Sequence, residues 1–262
     1  MAHQNRSTLL NTDRFTGRAE TYDRFRLRYP PDTILVLLRT WCGLQPDWLI
    51  ADIGAGTGML SEVFLVNGNP VIAIEPNDEM RSLCKQLLAG WPRLEVHNAT
   101  AEATGLTDAS INMVAAGRAF HWFDIPRALT EFRRILKPNG WLVLVSLGRD
   151  KGEDQQSRDF EYLLTHHGVD DNYARAGFRV HENLQELFAA DHHRAEIGGQ
   201  QQLDWETFLG QTNSLSIVPQ PPDPRAETFH RLLRDYFNTY ASNSILTAPT
   251  KCWIDAGRLS TQ

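Results

Sequence analysis

Residues 51–60 read A-D-I-G-A-G-T-G-M-L, a glycine-rich turn between two hydrophobic segments. The first segment, residues 48–53, has the length and composition of a buried strand, and residues 59–66 are predicted to form a buried helix. Gly54, Gly56 and Gly58 allow a tight turn and a close approach of the backbone to a ligand, because they have no Cβ atom. The segment therefore predicts a strand, a tight turn and a helix whose first amides face a ligand.

The same alternation of strand and helix continues along the chain. Further strands are predicted at residues 70–75, 94–97, 111–116, 141–147, 194–203 and 244–254. Further helices are predicted at residues 15–29, 33–42, 77–88, 126–136, 155–167, 183–189, 205–211 and 225–240. This order is typical of an α/β fold, in which helices cover both faces of a parallel sheet. Ligands in such folds bind at the carboxyl ends of the strands, next to strand one.

The composition indicates a folded, globular protein, with 42% hydrophobic and 22% charged residues among 262. No apolar run approaches the ~18 residues that a membrane span needs. The polar N-terminus, residues 1–13, has no apolar core of a secretory signal, so we expect a cytoplasmic protein without a membrane partner. The net charge of −6 disfavours a nucleic-acid partner. The cysteines and the adjacent histidine pairs have no ligand spacing, so no metal site is expected.

Two classes of ligand compete for the glycine-rich turn. A dinucleotide site has the spacing G-x-G-x-x-G, whereas this chain has G-x-G-x-G, with Met59 where the last small residue of that motif often stands. Asp52 would lie awkwardly beside a pyrophosphate but suits an ammonium group. Glu75 ends the second strand, where a carboxylate can accept hydrogen bonds from both hydroxyls of a ribose. S-adenosylmethionine has this ribose and a cationic tail without phosphate, and a plain structural turn is the remaining alternative.

Six segments then occur in a characteristic order, namely F-T-G-R-A-E-T-Y-D-R-F-R (15–26), the turn (51–60), A-I-E-P-N-D-E-M (73–80), A-T-A-E-A-T-G-L (99–106), A-F-H-W-F-D (119–124) and E-F-R-R-I-L-K-P-N-G (131–140). Together they resemble class I S-adenosylmethionine-dependent methyltransferases of the bacterial small-molecule type, which include ubiquinone-biosynthesis and trans-aconitate methyltransferases. The resemblance runs from about residue 15 to about residue 259. It implies a Rossmann-like, mostly parallel seven-stranded sheet with helices on both faces, an antiparallel last strand and a helical lid or insertion over the active site.

The resemblance also implies a set of cofactor-binding residues. In that set the glycine loop lines the methionine and ribose, Asp52 orders the amino group through water, and Glu75 holds the ribose hydroxyls. The adenine is flanked by residues 76, 77 and 80 and edged by residues 100–102, and residues 116–118 face the methionine end. The full set is Asp52, Gly54, Ala55, Gly56, Thr57, Gly58, Glu75, Pro76, Asn77, Met80, Thr100, Ala101, Glu102, Ala116, Gly117 and Arg118. The chain departs from the family pattern at Asn112, Thr100, Leu27 and Leu147-Gly148, and the last departure leaves the substrate open.

Methyl transfer is an in-line displacement at a sulfonium carbon, and positioning of the reactants can contribute up to roughly 7–11 kcal/mol. An acceptor hydroxyl or carbon acid also needs a base, whereas a carboxylate acceptor does not. His121 is the candidate base, and a packing role is its alternative. A lid over the acceptor is expected from Phe15, Tyr22 and Tyr29 of the N-terminal segment, with Trp122 beside it. Arg118 and Arg149 are either sites for an acidic substrate or solvated surface residues.

We expect one methyltransferase domain over residues 1–262, as a monomer or homodimer that acts on a small-molecule acceptor. Residues 1–12 are expected to be a flexible tail, 13–45 lid helices, 46–148 the cofactor-binding core, and 149–262 the substrate-side helices and last two strands. A cofactor-binding module without turnover and a nicotinamide-dependent oxidoreductase are the alternatives.

Overall fold

A seven-stranded sheet organises the computed structural model, which describes residues 17, 19–169, 187–188 and 191–260. The strands are β1 Ile50–Ile53, β2 Val71–Ile74, β3 Leu94–His97, β4 Ile111–Gly117, β5 Leu136–Arg149, β6 His193–Leu203 and β7 Leu246–Gly257. Their order across the sheet is β3-β2-β1-β4-β5-β7-β6. The pairs among β1 to β5 are parallel, and β7 runs antiparallel to both β5 and β6. The expected Rossmann-like fold class, with its antiparallel last strand, is therefore confirmed.

Helices precede, connect and follow these strands. They are α1 Ala19–Phe25, α2 Pro31–Cys42, α3 Met59–Val66, α4 Asp78–Leu87, α5 Ile125–Ile135, α6 Gln155–His167, α7 Trp205–Asn213 and α8 Ala226–Tyr240. Four of them begin at a side-chain cap, as when the Asn77 side chain accepts a hydrogen bond from the Met80 amide. Most helices thus lie where the periodicity predicts them. The expected helix at 183–189 and the expected tail at 1–12 fall largely or wholly outside the described residues.

The most marked differences from the predicted bounds are in α1, β5 and β7. Helix α1 ends at Phe25, before the predicted end at residue 29, because Pro30 and Pro31 have no N–H to donate to the carbonyls of residues 26 and 27. The Leu27 carbonyl instead accepts a hydrogen bond from Arg118. Strand β5 begins at Leu136, before the predicted start at residue 141, because Leu136 already pairs with Ile111 of β4. The predicted turn is present within the strand, where Asn139 has a left-handed φ of 65° and the pairing register with β4 shifts. Strand β7 begins after Ser244, whose φ of 62° belongs to a turn.

The central strands β1, β2, β4 and β5 are largely buried, as helices on both faces of a parallel sheet require, whereas the edge strands β3 and β6 are more exposed. One hydrophobic cluster joins α2, α3 and α4 to one face, and a second joins α5 to the other face. A third cluster lies under the helices α6, α7 and α8, around the fully buried Phe208 and Phe229. Within the described ranges, no helix combines the length and the hydrophobicity that a membrane span requires.

Strand β1 has β2 as its neighbour on one side and β4 on the other, so the direction of the strand order reverses at β1. A sheet whose strand order reverses in this way has a crevice at the carboxyl ends of the two strands. The loops after β1, β2 and β4 meet at this crevice, so the topology brings the glycine-rich turn, Glu75 and residues 117–123 together.

Candidate functional site

The three glycines of the turn have left-handed φ angles of 68°, 59° and 88°, but their surroundings differ. A Cβ atom on Gly54 would lie 2.6 Å from the Ala119 Cβ, and one on Gly58 would lie 2.5 Å from Leu88. On Gly56 a Cβ atom would meet no heavy atom within 4 Å. Packing therefore excludes side chains at two of these glycines, whereas Gly56 faces the open space of the crevice.

Glu75 is held rigidly at the end of β2 by the backbone. Its Oε2 accepts a hydrogen bond from the Gly56 amide and its Oε1 from the Asn77 amide, both at 2.8 Å. Burial raises the pKa of this carboxyl, and the two amide hydrogen bonds oppose the rise. The carboxylate is thus oriented beside the glycine-rich turn, where its further lone pairs can accept hydrogen bonds from a ligand.

The crevice contains a cavity of about 110 Å³, which we call the loop cavity. Its lining residues are Tyr22, Gly54, Gly56, Glu75, Pro76, Asn77, Met80, Thr100, Ala101, Glu102, Gly117, Arg118, Ala119, Trp122 and Phe123. A recess of about 30 Å³ shares several of these residues and adds Tyr29, Asp52, Ala55, Thr57, Met59 and Leu60. A space lined by both polar and apolar groups suits a ligand of mixed polarity.

Asp52 is fully buried at the recess. Its Oδ2 accepts a hydrogen bond of 2.6 Å from the Ser61 hydroxyl, and its Oδ1 has no hydrogen-bond partner among the described residues. Burial raises the pKa of the Asp52 carboxyl to about 7, against the lowering effect of Ser61 and together with the nearby charge of Glu75. An unpaired buried carboxylate oxygen is costly in free energy, and a cationic ligand group would remove that cost.

Arg118 lies at the junction between β4 and the N-terminal segment, with a left-handed φ of 55°. Its Nε donates to the Tyr29 hydroxyl at 3.0 Å, and its guanidinium lies 4.7 Å from the Tyr29 ring and 5.9 Å from the Tyr22 ring. Burial raises the pKa of Tyr22, but the guanidinium groups of Arg118 and Arg26 outweigh it, so the net pKa is lowered. Two tyrosines of the N-terminal segment are therefore fixed against the mouth of the loop cavity.

Helix α1 contacts the glycine-rich turn and the substrate-side helices at once. The Thr57 hydroxyl donates to the Asp23 carboxylate at 3.0 Å, and Arg24 forms an ion pair of 2.8 Å with Glu206 on α7. The Phe25 ring packs so closely on Gly210 that a Cβ atom there would lie 2.4 Å from it. Helix α1 thus covers the crevice in the position that a lid requires.

A second cavity, of about 230 Å³, adjoins the loop cavity and shares Tyr22, Arg118 and Trp122 with it. We call it the side chamber. It lies between the end of β5 and the helix α6, and its lining includes Arg26, His121, Arg149, Phe160 and Trp253. His121 belongs to a 3-10 turn, Phe120–Trp122, and its ring centroid lies 4.6 Å from that of Trp122. The geometry provides two separate spaces that meet at three shared side chains.

The structure brings most of the sequence-predicted residues to these spaces. Gly58 and Ala116 do not line a cavity, because Gly58 packs on Leu88 and Cys84, while Ala116 is buried within the sheet. Phe15 lies outside the described residues. The sequence interpretation omitted Ala119 and Phe123 from the binding set, although both lie in the quoted segment 119–124. Among the described residues, Cys42, Cys84 and Cys252 are buried free thiols.

Comparisons with known proteins agree with this geometry. Residues 51–144 match a family model described as a methyltransferase domain. A protein of Mycobacterium tuberculosis named as an uncharacterized methyltransferase is 35% identical over 144 residues, which are 52% of this chain and 53% of that protein. A malonyl-[acyl-carrier protein] O-methyltransferase of Gallionella capsiferriformans is 30% identical over 63% of this chain and 62% of that protein. The chain thus spans about half the length of the mycobacterial relative that it matches.

Solved structures share the fold at low sequence identity. A structure described as a type II methyltransferase of Anaeromyxobacter dehalogenans is 23% identical, with a TM-score of 0.66 over 91% of this chain and 100% of that chain. A phosphoethanolamine N-methyltransferase of Haemonchus contortus, in complex with S-adenosylhomocysteine, is 13% identical, with a TM-score of 0.53 over 97% of this chain and 59% of that chain. Residues 51–144 of this chain therefore match a methyltransferase domain, and the chain shares its fold with solved methyltransferase structures.

Proposed function

We propose that this protein transfers a methyl group from S-adenosylmethionine to a small-molecule acceptor by in-line displacement, with S-adenosylhomocysteine as the product. The observation that carries the proposal is the pair of adjoining spaces: the loop cavity, with its recess, has groups for the cofactor, and the side chamber has room for an acceptor. Bound cofactor would supply an electrophilic methyl group on a cationic sulfur, so the protein itself has to bind, align and exclude water.

The residues of the recess fit the methionine end of this cofactor. The buried Oδ1 of Asp52, which has no hydrogen-bond partner among the described residues, suits the ammonium group, and Ser61 orients the other oxygen. The open space beside Gly56 leaves room for the ligand next to the backbone. These features favour a cationic ligand over a pyrophosphate.

The loop cavity fits the nucleoside end. Glu75 presents an oriented carboxylate for the two ribose hydroxyls. Residues of α4 and of the loop after β3 line the remaining part of the cavity, where they would flank an adenine; these are Pro76, Asn77, Met80, Thr100, Ala101 and Glu102. The proposal is tested by incubating the protein with S-adenosylmethionine and a broad panel of small acceptors and measuring S-adenosylhomocysteine. Formation of that product with no member of the panel would favour a binding module without turnover.

The Glu75→Gln variant is expected to bind S-adenosylhomocysteine about 10- to 150-fold more weakly, because a hydrogen bond to a charged group contributes about 1.5–3 kcal/mol. The measurement is calorimetric titration, with the exposed Glu62→Gln on α3 as the matched control. The wild type should also bind 2′-deoxy-S-adenosylhomocysteine more weakly than the parent compound, and Glu75→Gln should reduce that difference. Equal affinities of the two compounds for the wild type would contradict the assignment of Glu75 to the ribose.

Cofactor affinity is expected to depend on pH through Asp52, whose pKa is raised to about 7 by burial. An ammonium needs the ionised carboxylate, so affinity should fall up to about tenfold per pH unit below pH 7 and level off above it. Asp52→Asn should flatten this dependence and lower affinity at pH 8.

The folded-state pKa of Asp52 lies above the unfolded value of 3.8, so ionised Asp52 destabilises the free protein. The variant should therefore melt no lower than the wild type at pH 8, and an unchanged pH dependence would contradict the role of Asp52.

A further inference from the structure

Arg149, at the end of β5, holds a buried guanidinium in an aromatic cage. Its central carbon lies 4.1 Å from the ring centroid of Phe160, 5.4 Å from that of Tyr236 and 5.9 Å from that of Phe208. Its Nη2 donates to the Tyr236 hydroxyl. Arg149 also lines the side chamber, so the cage holds its charge at the wall of that space.

The hydrogen-bonding capacity of Arg149 is only partly used. Its Nε and Nη1 are buried and have no acceptor among the described residues. The nearby Asp154 acts on Arg149 through space without a direct ion pair among the described contacts, and its carboxylate accepts two hydrogen bonds of 2.8 Å from Ser157 at the start of α6. A buried cation with unused donors is costly unless an anion completes it.

Arg26, which directly follows α1, also combines an aromatic contact with an unused hydrogen-bond donor. Its guanidinium lies 4.8 Å from the Tyr22 ring centroid, and its Nε is buried without an acceptor in the part of the chain that the structure describes. Two carboxylates also line the side chamber, but Asp150 pairs with Lys251 at 3.2 Å and Glu161 pairs with Lys151 at 2.5 Å. The chamber therefore combines buried arginines with carboxylates that are already neutralised.

We propose that the side chamber takes an acceptor with a carboxylate on an apolar body, and that Arg149, assisted by Arg26, binds this carboxylate. The inference rests on the proposed function and specifies the substrate class of that site. The apolar lining, which includes Phe160, Leu164 and Trp253, suits the body of the acceptor. A monoanion fits better than a phosphate dianion, because Arg149 is a single guanidinium with two unused nitrogens, and Arg26 adds only one more. The carboxylate is an anchor, and the methylated atom is a separate group of the same molecule.

The test uses protein saturated with S-adenosylhomocysteine and matched pairs of small acids and amides: benzoate and benzamide, phenylacetate and phenylacetamide, 3-phenylpropanoate and 3-phenylpropanamide. Phenyl phosphate is the dianionic probe. Ligand-observed NMR titration should give at least one carboxylate that binds the wild type at least about tenfold more tightly than its amide, as a charge-assisted hydrogen bond predicts. Arg149→Gln should remove this preference, and Arg149→Lys should retain part of it. The exposed Arg231→Gln on α8 should leave it unchanged.

Each outcome bears on one proposal. Absence of S-adenosylhomocysteine binding to the wild type would overturn the proposed function itself. Binding of that compound, with every amide as tight as its carboxylate, would overturn the carboxylate site alone. Phenyl phosphate binding more tightly than all the carboxylates would also overturn it. If Arg149→Gln does not fold, the wild type and Arg149→Lys provide the test. Arg149→Lys that binds each carboxylate no more tightly than its amide would then contradict the proposal.

Discussion

Replacing Gly56 with valine is expected to abolish cofactor binding while the protein remains folded. The Cβ position of Gly56 points into open space beside Glu75, so the added side chain would occupy the volume of the ligand rather than displace protein atoms. Calorimetric titration should detect no binding of S-adenosylmethionine at concentrations that saturate the wild type. The same substitution at Gly54 or Gly58 would be a poor test, because it would collide with Ala119 or Leu88.

Gly105→Val is the matched control for this experiment. Gly105 has a similar left-handed φ of 71° and no heavy atom near its Cβ position, but it is exposed and does not line the loop cavity. A valine there carries the same backbone strain, so both variants should lose similar stability in thermal unfolding. Cofactor affinity should be lost only at Gly56. Unchanged binding in Gly56→Val would disprove the assigned position of the cofactor.

The His121→Gln variant is expected to lower turnover by roughly 10²- to 10⁴-fold, with little change in cofactor affinity, because a general base acts in the transition state. His121 lines the side chamber, which is the proposed acceptor space, and does not line the loop cavity. Turnover of the variant should remain below that of the wild type across the tested pH range. The measurements are turnover across pH and calorimetry with S-adenosylhomocysteine.

His97→Gln, at the end of β3 and outside both cavities, is the control for His121→Gln. A packing role for His121 predicts a different result, in which the variant loses thermal stability and cofactor affinity together. Turnover within about threefold of the wild type at every pH would remove His121 from the mechanism and leave positioning as the source of the rate.

The order of the elements could be predicted from the sequence because each element has a strong local signal. The apolar strands β1 and β4 are buried along most of their length, and their flanking glycine, proline and asparagine residues mark the turns. The positions of Asp52 and Glu75 could also be predicted locally, because Asp52 lies near the end of β1 and Glu75 directly follows β2. The early, local part of the fold thus forms much of the loop cavity and its recess.

The side chamber could not be predicted in the same way, because its lining residues come together only through tertiary packing. Arg26, Arg149 and Phe160 are far apart in the chain, and neither periodicity nor spacing indicates that they line one chamber. The hydrogen bond from Arg118 to the Leu27 carbonyl is likewise a contact across 91 residues, which no local pattern predicts. The different environments of Gly54, Gly56 and Gly58 likewise depend on neighbours from later elements.

Competitive titration of the wild-type protein with S-adenosylmethionine and NAD⁺ tests the central claim most directly. The account predicts that one S-adenosylmethionine binds per chain with micromolar affinity, about −8 kcal/mol. It also predicts that excess NAD⁺ does not displace this ligand, because Asp52 at the recess disfavours a pyrophosphate. Displacement of S-adenosylmethionine by NAD⁺, or the absence of any binding of S-adenosylmethionine, would contradict the account.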